Sequence, residues 1–281
     1  MKLLRYGPAG SELPGMLDAN GTLRALSPIV SDIDATVLSP EGLRFLRALD
    51  ASKLPEVAGT PRLGSPLAAV REIVAIGLNY RDHAIEANLP IPTEPVVFSK
   101  STSSISGPDD DIVLPAGSQK TDWEVELGIV IGSTTSRVDE QAAWASIAGY
   151  VMVNDVSERD WQLNRNGQWG KGKSFDTFTP VGPWFVSADE IAQPGRLELE
   201  LKVNGEQRQS GNTEDLIFPV NTVVSYVSQF MTLKPGDLII TGTPAGVGLG
   251  MKPPQFLKVG DTIAQTITGL GAQTHRVVNG A

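Results

Sequence analysis

The chain has 281 residues, with 32 acidic against 23 basic side chains and a formal charge of −9. An acidic balance without a long Lys/Arg block argues against nucleic acid and anionic membrane as partners. Cysteine is absent and histidine occurs only at His83 and His275, which excludes disulfides, thiol nucleophiles, Cys-based zinc sites and any three-imidazole centre.

The 41% hydrophobic content supports a sizeable core. No apolar run approaches the roughly 20 residues of a bilayer span, and the charged opening over 1–7 does not read as a signal peptide. A soluble cytoplasmic protein is therefore expected. With 29 Gly and 20 Pro and no repeat period, the composition predicts many turns between short strands. In chain order, 2–6 reads as a strand, Asn20-Gly21 carries a hairpin signal, and Ser39-Pro40 opens a helix running through 43–49. The Pro- and Gly-rich stretch 55–66 reads as a linker, which divides the chain into a small N-terminal α/β domain, 1–66, and a larger β-dominated domain, 67–281.

In the larger part, strands are predicted at 73–78, 96–98, 123–131, 150–153, 197–203, 238–240 and 262–268. Helices are predicted near 82–87, 139–148 and 220–230. Strands outnumber helices and mostly follow one another directly, which argues against a doubly wound sheet or a TIM barrel and for a β-dominated α+β fold.

Several side chains carry potential chemistry. Glu124 and Glu126, one residue apart on a strand, leave the same face, and Asp155 ends another apolar strand. Three carboxylates with no Cys or His at ligand spacing suit a hard cation, Mg²⁺ first and Mn²⁺ second; spacing alone equally fits an exposed acidic face. His83 and Glu86, at i and i+3 on a helix, can meet as a general-base pair or as an incidental surface ion pair. Arg159 and Gln162 share a helical face and can clamp a substrate carboxylate, unless Arg159 is taken by Glu158 or Asp160. Lys171 or Lys173 can neutralise an oxyanion or simply be solvated. The run from Thr241 to Gly248 is Gly-rich but lacks a P-loop's spacing, so it offers backbone N–H groups and the Thr243 hydroxyl to an anion, or is an ordinary turn. His275 reads as a surface strand residue.

Five segments in order carry a resemblance: Gly77-Leu78-Asn79-Tyr80 with His83 and Glu86; Asp122-Trp123-Glu124-Val125-Glu126-Leu127-Gly128; Asn154-Asp155-Val156-Ser157-Glu158-Arg159-Asp160 with Gln162; Lys173-Ser174-Phe175-Asp176; and Thr241-Gly242-Thr243-Pro244. Over roughly 70–275 the sequence resembles the fumarylacetoacetate hydrolase family. The resemblance implies a mixed β-roll catalytic domain and a homodimer. It implies Mg²⁺, with Mn²⁺ as a substitute, on Glu124, Glu126 and Asp155. It makes His83 and Glu86 a water-activating dyad on a lid, Lys173 the active-site lysine, and Arg159, Gln162 and Thr243 substrate neighbours.

The closest-looking subgroup includes 2,4-diketo-3-deoxy sugar-acid hydrolases and members labelled ureidoglycolate lyase. The implied activity is therefore hydrolysis of a C–C bond in a small 2,4-diketo acid, with 2,4-diketo-3-deoxy-L-rhamnonate or L-fuconate giving pyruvate and lactate. Oxaloacetate decarboxylation, 2-hydroxyhepta-2,4-diene-1,7-dioate isomerisation and ureidoglycolate cleavage are the alternatives. Polar residues at Asn164, Arg165, Asn166 and Gln168 predict a hydroxylated or acidic substrate tail.

Overall fold

Runs rich in Val and Ile become the middle of one large sheet. A computed structural model describes residues 1–280. Its principal strands are β1 (Lys2–Tyr6), β2 (Leu13–Leu17), β3 (Leu23–Ala25), β4 (Ile73–Gly77), β5 (Val96–Lys100), β6 (Ile112–Leu114) and β7 (Val125–Ile131), followed by β8 (Ile147–Asn154), β9 (Thr179–Ser187), β10 (Glu198–Val203), β11 (Glu206–Asn212), β12 (Leu238–Ile240), β13 (Thr262–Ile267) and β14 (Gly271–Asn279). The large sheet runs β3-β2-β1-β9-β8-β7-β12-β4-β5, and a second runs β11-β10-β13-β14-β6. Pairing is antiparallel along both except for β12 with β4 and β14 with β6. The fold is thus the β-dominated mixed roll expected from the sequence.

The central strands are continuous apolar runs because both faces of the large sheet are covered. Val74, Ile76, Leu127, Ile129 and Met152 pack toward Leu199, Leu201 and Ile263 of the second sheet. The alternate residues Ile73, Ala75, Val130, Val151 and Val153 pack with Leu3, Leu26, Leu38 and Leu46 from the N-terminal segment. That segment adds β1, β2 and β3 to the sheet through the β1–β9 pairing, and lays α1 (Pro40–Arg47) over its outer face. The Ser39 side chain caps α1 by accepting from the Gly42 N–H, with Pro40 in the first turn, so the helix starts three residues before its expected apolar face.

Two expectations differ from the structure. The helix predicted over 139–148 is only α3 (Glu140–Ala143) and a 3₁₀ turn, because from Ile147 onward the chain is claimed by β8 between β7 and β9. His275 is not a surface residue. Along β14 Gln273, His275 and Val277 alternate inward, and His275 is fully buried against the Asp110 carbonyl and the Gln273 amide oxygen. Burial lowers its pKa, against the pull of Asp109, Asp110 and Asp111.

Candidate active site

Strand register assembles the acidic centre. Val125 pairs with Asn154 and Glu126 with Val153, so Glu124 and Asp155, one step beyond the ladder, lie side by side; the Asp155 N–H donates to the Glu124 carbonyl at 2.8 Å. On the other flank of β7, Gly128 pairs with Ile240 of β12, which delivers the Gly242 N–H to Glu126 Oε2 at 2.7 Å. Gly242 holds φ +95°, and a side chain there would strike Asn79, so the backbone reaches the carboxylate only as glycine. Oxygens of Glu124, Glu126 and Asp155 lie within 4.8 Å of one another, and all three residues are buried.

Buried cations compensate two of the three. Lys173 Nζ donates to Glu124 Oε2 at 2.7 Å, Asp155 Oδ2 at 2.6 Å and Ser157 Oγ at 2.7 Å. Burial opposes its charge, but Asp155 and Glu124 outweigh that and hold its pKa above the usual lysine value. Lys173 is held as a cation between two carboxylates. It arrives on α4 (Trp169–Lys173), a short helix whose glycines permit close packing: a Cβ at Gly172 would meet the Gln162 backbone N at 2.5 Å, and one at Gly170 the Ser99 carbonyl at 2.7 Å. Lys171 points away, to the Arg165 carbonyl.

Lys100, which sequence reasoning missed, donates to Asp155 Oδ1 at 2.5 Å and the Phe178 carbonyl at 2.8 Å. Its only local signal is a cation closing the apolar strand Val96–Lys100.

Arg159 is taken neither by Glu158 nor by Asp160. Its Nε donates to Asp122 Oδ2 at 2.8 Å and its Nη1 to Gln162 Oε1 at 2.9 Å, and Nη2 pairs with Glu124 Oε1 at 2.7 Å. The guanidinium orients Glu124, and Gln162 is left with its amide N–H groups. Asp122, a second residue without an assigned role in the sequence reading, also accepts from the Gly248 and Leu249 N–H groups and so ties Arg159 to the 242–250 loop. The Thr243 hydroxyl is spent within the fold: it donates to the Val125 carbonyl at 2.9 Å and accepts from Gln209 at 2.7 Å.

Electrostatics single out Glu126. Against its burial, Lys173 and Arg159 hold the Glu124 carboxyl far below its usual range. Glu126 has no salt bridge and only one backbone donor, so burial, followed by repulsion from Asp155 and Glu124, pushes it well above. A hard divalent cation fits this donor set: three carboxylates, no nitrogen or sulfur ligand, and one buried carboxylate short of positive charge.

His83 and Glu86 lie on α2 (Arg81–Glu86), with Nδ1 to Oε2 at 3.1 Å. Glu86 Oε1 accepts from the Gly246 N–H at 2.9 Å, and Asp82 accepts from the Ala245 N–H at 3.2 Å. A Cβ on Gly250 would collide with Glu86. The Gly-rich loop therefore seats the helix carrying the dyad. His83, Glu86, the three carboxylates and Lys173 line one cavity of about 590 Å³, together with Arg159, Gln162 and Thr243.

The tail expectation fails. Asn164, Arg165, Asn166 and Gln168 are exposed and do not line the cavity; Asn164 and Arg165 instead bond Asp160. From the same stretch, Leu163 and Trp169 line the cavity, Leu163 as an exposed side chain.

Fold and site define the class, a β-roll enzyme built around a buried acidic centre. The family model for the fumarylacetoacetate (FAA) hydrolase C-terminal domain matches residues 72–278, and the chain belongs to that family. A Burkholderia ambifaria protein provisionally named a hydrolase is 57% identical over 280 residues, covering 99% of both chains. A fumarylacetoacetate hydrolase from Exiguobacterium antarcticum superposes with TM-score 0.87 at 36% identity, covering 100% of each chain. A maleylpyruvate hydrolase from Sphingobium sp. SYK-6, solved with manganese(II) and pyruvate, superposes with TM-score 0.83 at 28% identity over 100% of each chain.

Proposed function

We propose that this enzyme hydrolyses a C–C bond in a 2,4-diketo acid. The observation that carries the reading is the His83–Glu86 pair facing the same cavity as the carboxylate centre. Glu124, Glu126 and Asp155 would hold Mg²⁺ or Mn²⁺, and the ion, when bound, supplies Lewis-acid polarisation of a 2-oxo acid.

The chain's own residues do the rest. Glu86, fixed by the Gly246 N–H, accepts from Nδ1 and leaves Nε2 as the base. Nε2 takes a proton from water, whose oxygen bonds to the C4 carbonyl carbon. The C3–C4 bond then breaks, its electron pair forming the enolate of pyruvate. Protonation at C3 gives pyruvate, and the acyl half leaves as a carboxylate. Lys173, held between Glu124 and Asp155, offsets the negative charge that develops in the centre. Gln162 is placed to donate to a substrate carboxylate.

The sugar acids 2,4-diketo-3-deoxyrhamnonate and its fuconate epimer belong to this substrate class and would give pyruvate and lactate. The test is turnover of acetylpyruvate and these sugar acids with Mg²⁺ or Mn²⁺, products resolved by NMR. Two organic acids, lost on chelation, are expected. His83→Ala should lower kcat by about 10²–10⁴-fold with metal binding retained; undiminished hydrolysis in that variant removes the dyad from the mechanism.

A second reading, isomerisation of a 2-hydroxydienoate, is favoured by one observation. A 2-hydroxyhepta-2,4-diene-1,7-dioate isomerase from Mycobacterium marinum superposes at 34% identity with TM-score 0.74. That chemistry shifts the substrate's absorbance and releases no fragment. Oxaloacetate decarboxylation would release CO₂, and ureidoglycolate cleavage urea.

A further inference from the structure

Apart from the carboxylates, their cations and the dyad, the cavity wall is almost wholly apolar. Leu89, Phe98, Leu163, Trp169, Leu249 and Met251 form most of it. The polar exceptions are few. Gln162 faces Arg159, the Thr243 hydroxyl is committed to Val125 and Gln209, and Lys252 is an exposed side chain.

The aromatic part of this wall is preformed. Trp169 lies so close over Gly77 that a Cβ there would strike its ring, and Phe98 meets Trp169 edge-on at 5.4 Å and 65°. Gly170 seats the same helix on the Ser99 carbonyl.

The geometry points to a substrate whose acyl group, beyond C4, is apolar and larger than the hydroxyethyl tail of the sugar acids: an alkyl, alkenyl or aryl group set against Trp169 and Phe98. This rests on the hydrolase reading and narrows it. The head of a 2,4-diketo acid, a carboxylate and two carbonyls, consumes the polar groups of the site. A hydroxyl on a tail held against Trp169 and Phe98 meets carbon, a mismatch that apolar pockets penalise by up to the order of 10², although Leu89, Leu163 and Leu249 are themselves exposed. Each further methylene contributes roughly tenfold or more where it is buried. A cavity of about 590 Å³ has room for such a tail after the head is placed.

The test uses a matched pair: 2,4-diketo-3-deoxyrhamnonate and 2,4-dioxohexanoate differ by one tail hydroxyl, and 2,4-dioxo-4-phenylbutanoate extends the series. With the Mn²⁺-loaded enzyme, kcat/KM for the deoxy compound should exceed that of the hydroxylated one by roughly 10-fold to 10²-fold, and the phenyl compound should match or surpass it. Trp169→Gln, and independently Leu163→Asn at an exposed position, should each lower the ratio of apolar to hydroxylated substrate severalfold. Calorimetric binding of 2-oxohexanoate against 5-hydroxy-2-oxohexanoate repeats the comparison on ligands that hydrolysis cannot consume. Equal or better use of the hydroxylated member, or ratios unmoved in both variants, overturns the inference. If no diketo acid is cleaved while the apolar 2-oxo acid still binds more tightly, the hydrolase reading falls and the apolar pocket stands.

Discussion

Two clusters of charge in this protein have the same deficit and opposite surroundings. In the active site, Lys100, Lys173 and Arg159 face Asp122, Glu124, Glu126 and Asp155, one carboxylate more than the cations; the Lys100 and Asp155 side chains are 0% and 1% exposed. At the seam between the N-terminal segment and the rest, Arg5 and Arg62 face Glu12, Asp32 and Asp110, again one carboxylate in excess. There Glu12 is 9% exposed, but the Arg62, Asp110 and Asp32 side chains are 32%, 24% and 30% exposed, and solvent screens those. In the interior no water does that, and the unmatched carboxylate becomes a demand for a bound cation. Counting ion pairs would have rated the two clusters alike; their dryness separates a site from a seam.

The sharpest way to break this comparison is to remove one cation from each. Lys100→Met leaves the buried Asp155 to Lys173 alone, one cation fewer in a dry site, and should cost about 3 kcal/mol of unfolding free energy, whereas Arg62→Met at the wetter seam should cost nearer 1 kcal/mol; comparable losses in urea titrations would erase the distinction. Next in size is cation binding itself. Mn²⁺ at 100 times its Kd should stabilise the protein by about 2.7 kcal/mol. Glu126→Gln should abolish that gain without lowering the melting temperature of the metal-free protein, since it removes the carboxylate that has no cation and keeps an acceptor for the Gly242 N–H.

A smaller effect comes from His275. Its folded pKa lies below the unfolded value, so the unfolded chain takes up the proton first as pH falls. The stability it contributes is complete above about pH 6.5 and declines below that toward the depressed folded value, at up to about 1.4 kcal/mol per pH unit. Thermal melts of His275→Asn between pH 7.5 and 5 should show a flatter profile.

The smallest is Asp110→Asn. Although burial works the other way, Arg62 holds the Asp110 carboxyl below its usual value. Its contribution, about 1 kcal/mol or less for a half-wet pair, is present above the ordinary carboxylate pKa and disappears as pH falls through the depressed one; the variant should lose only that acid limb.

What the sequence made legible was local. Period-two alternation and apolar runs placed the central strands, one-residue spacing placed Glu124 beside Glu126, and i,i+3 spacing placed His83 against Glu86. What it hid was long-range. Lys100 meets Asp155 across 55 positions and Asp122 meets Gly248 across 126, and no periodicity reports such pairs. Arg159, Gln162 and Thr243 line the cavity, yet Arg159 and Thr243 are already satisfied by neighbours that only the folded chain supplies. His275 was legible and misread: its alternation with Val277 on a strand ending in a buried sheet pointed inward. The polar run 164–168 misled because composition was read without direction; the two apolar residues flanking it line the cavity.

The seat of Glu86 has a genetic consequence. Glu86 accepts from the Gly246 N–H and Asp82 from the Ala245 N–H, not from the loop's side chains, so the half-buried Ala245 can change identity while the dyad keeps its posture, whereas the buried Val247 is held to an apolar side chain. What the loop cannot survive is a change in main-chain course: a proline that deletes the donor at 246, a side chain where Gly250 lets Glu86 pass, or an insertion that moves either. Natural or laboratory variation here should be tolerated at Ala245 and refused at Gly246, Gly248 and Gly250, where a Cβ would strike neighbouring atoms, with the loop rigid in its length.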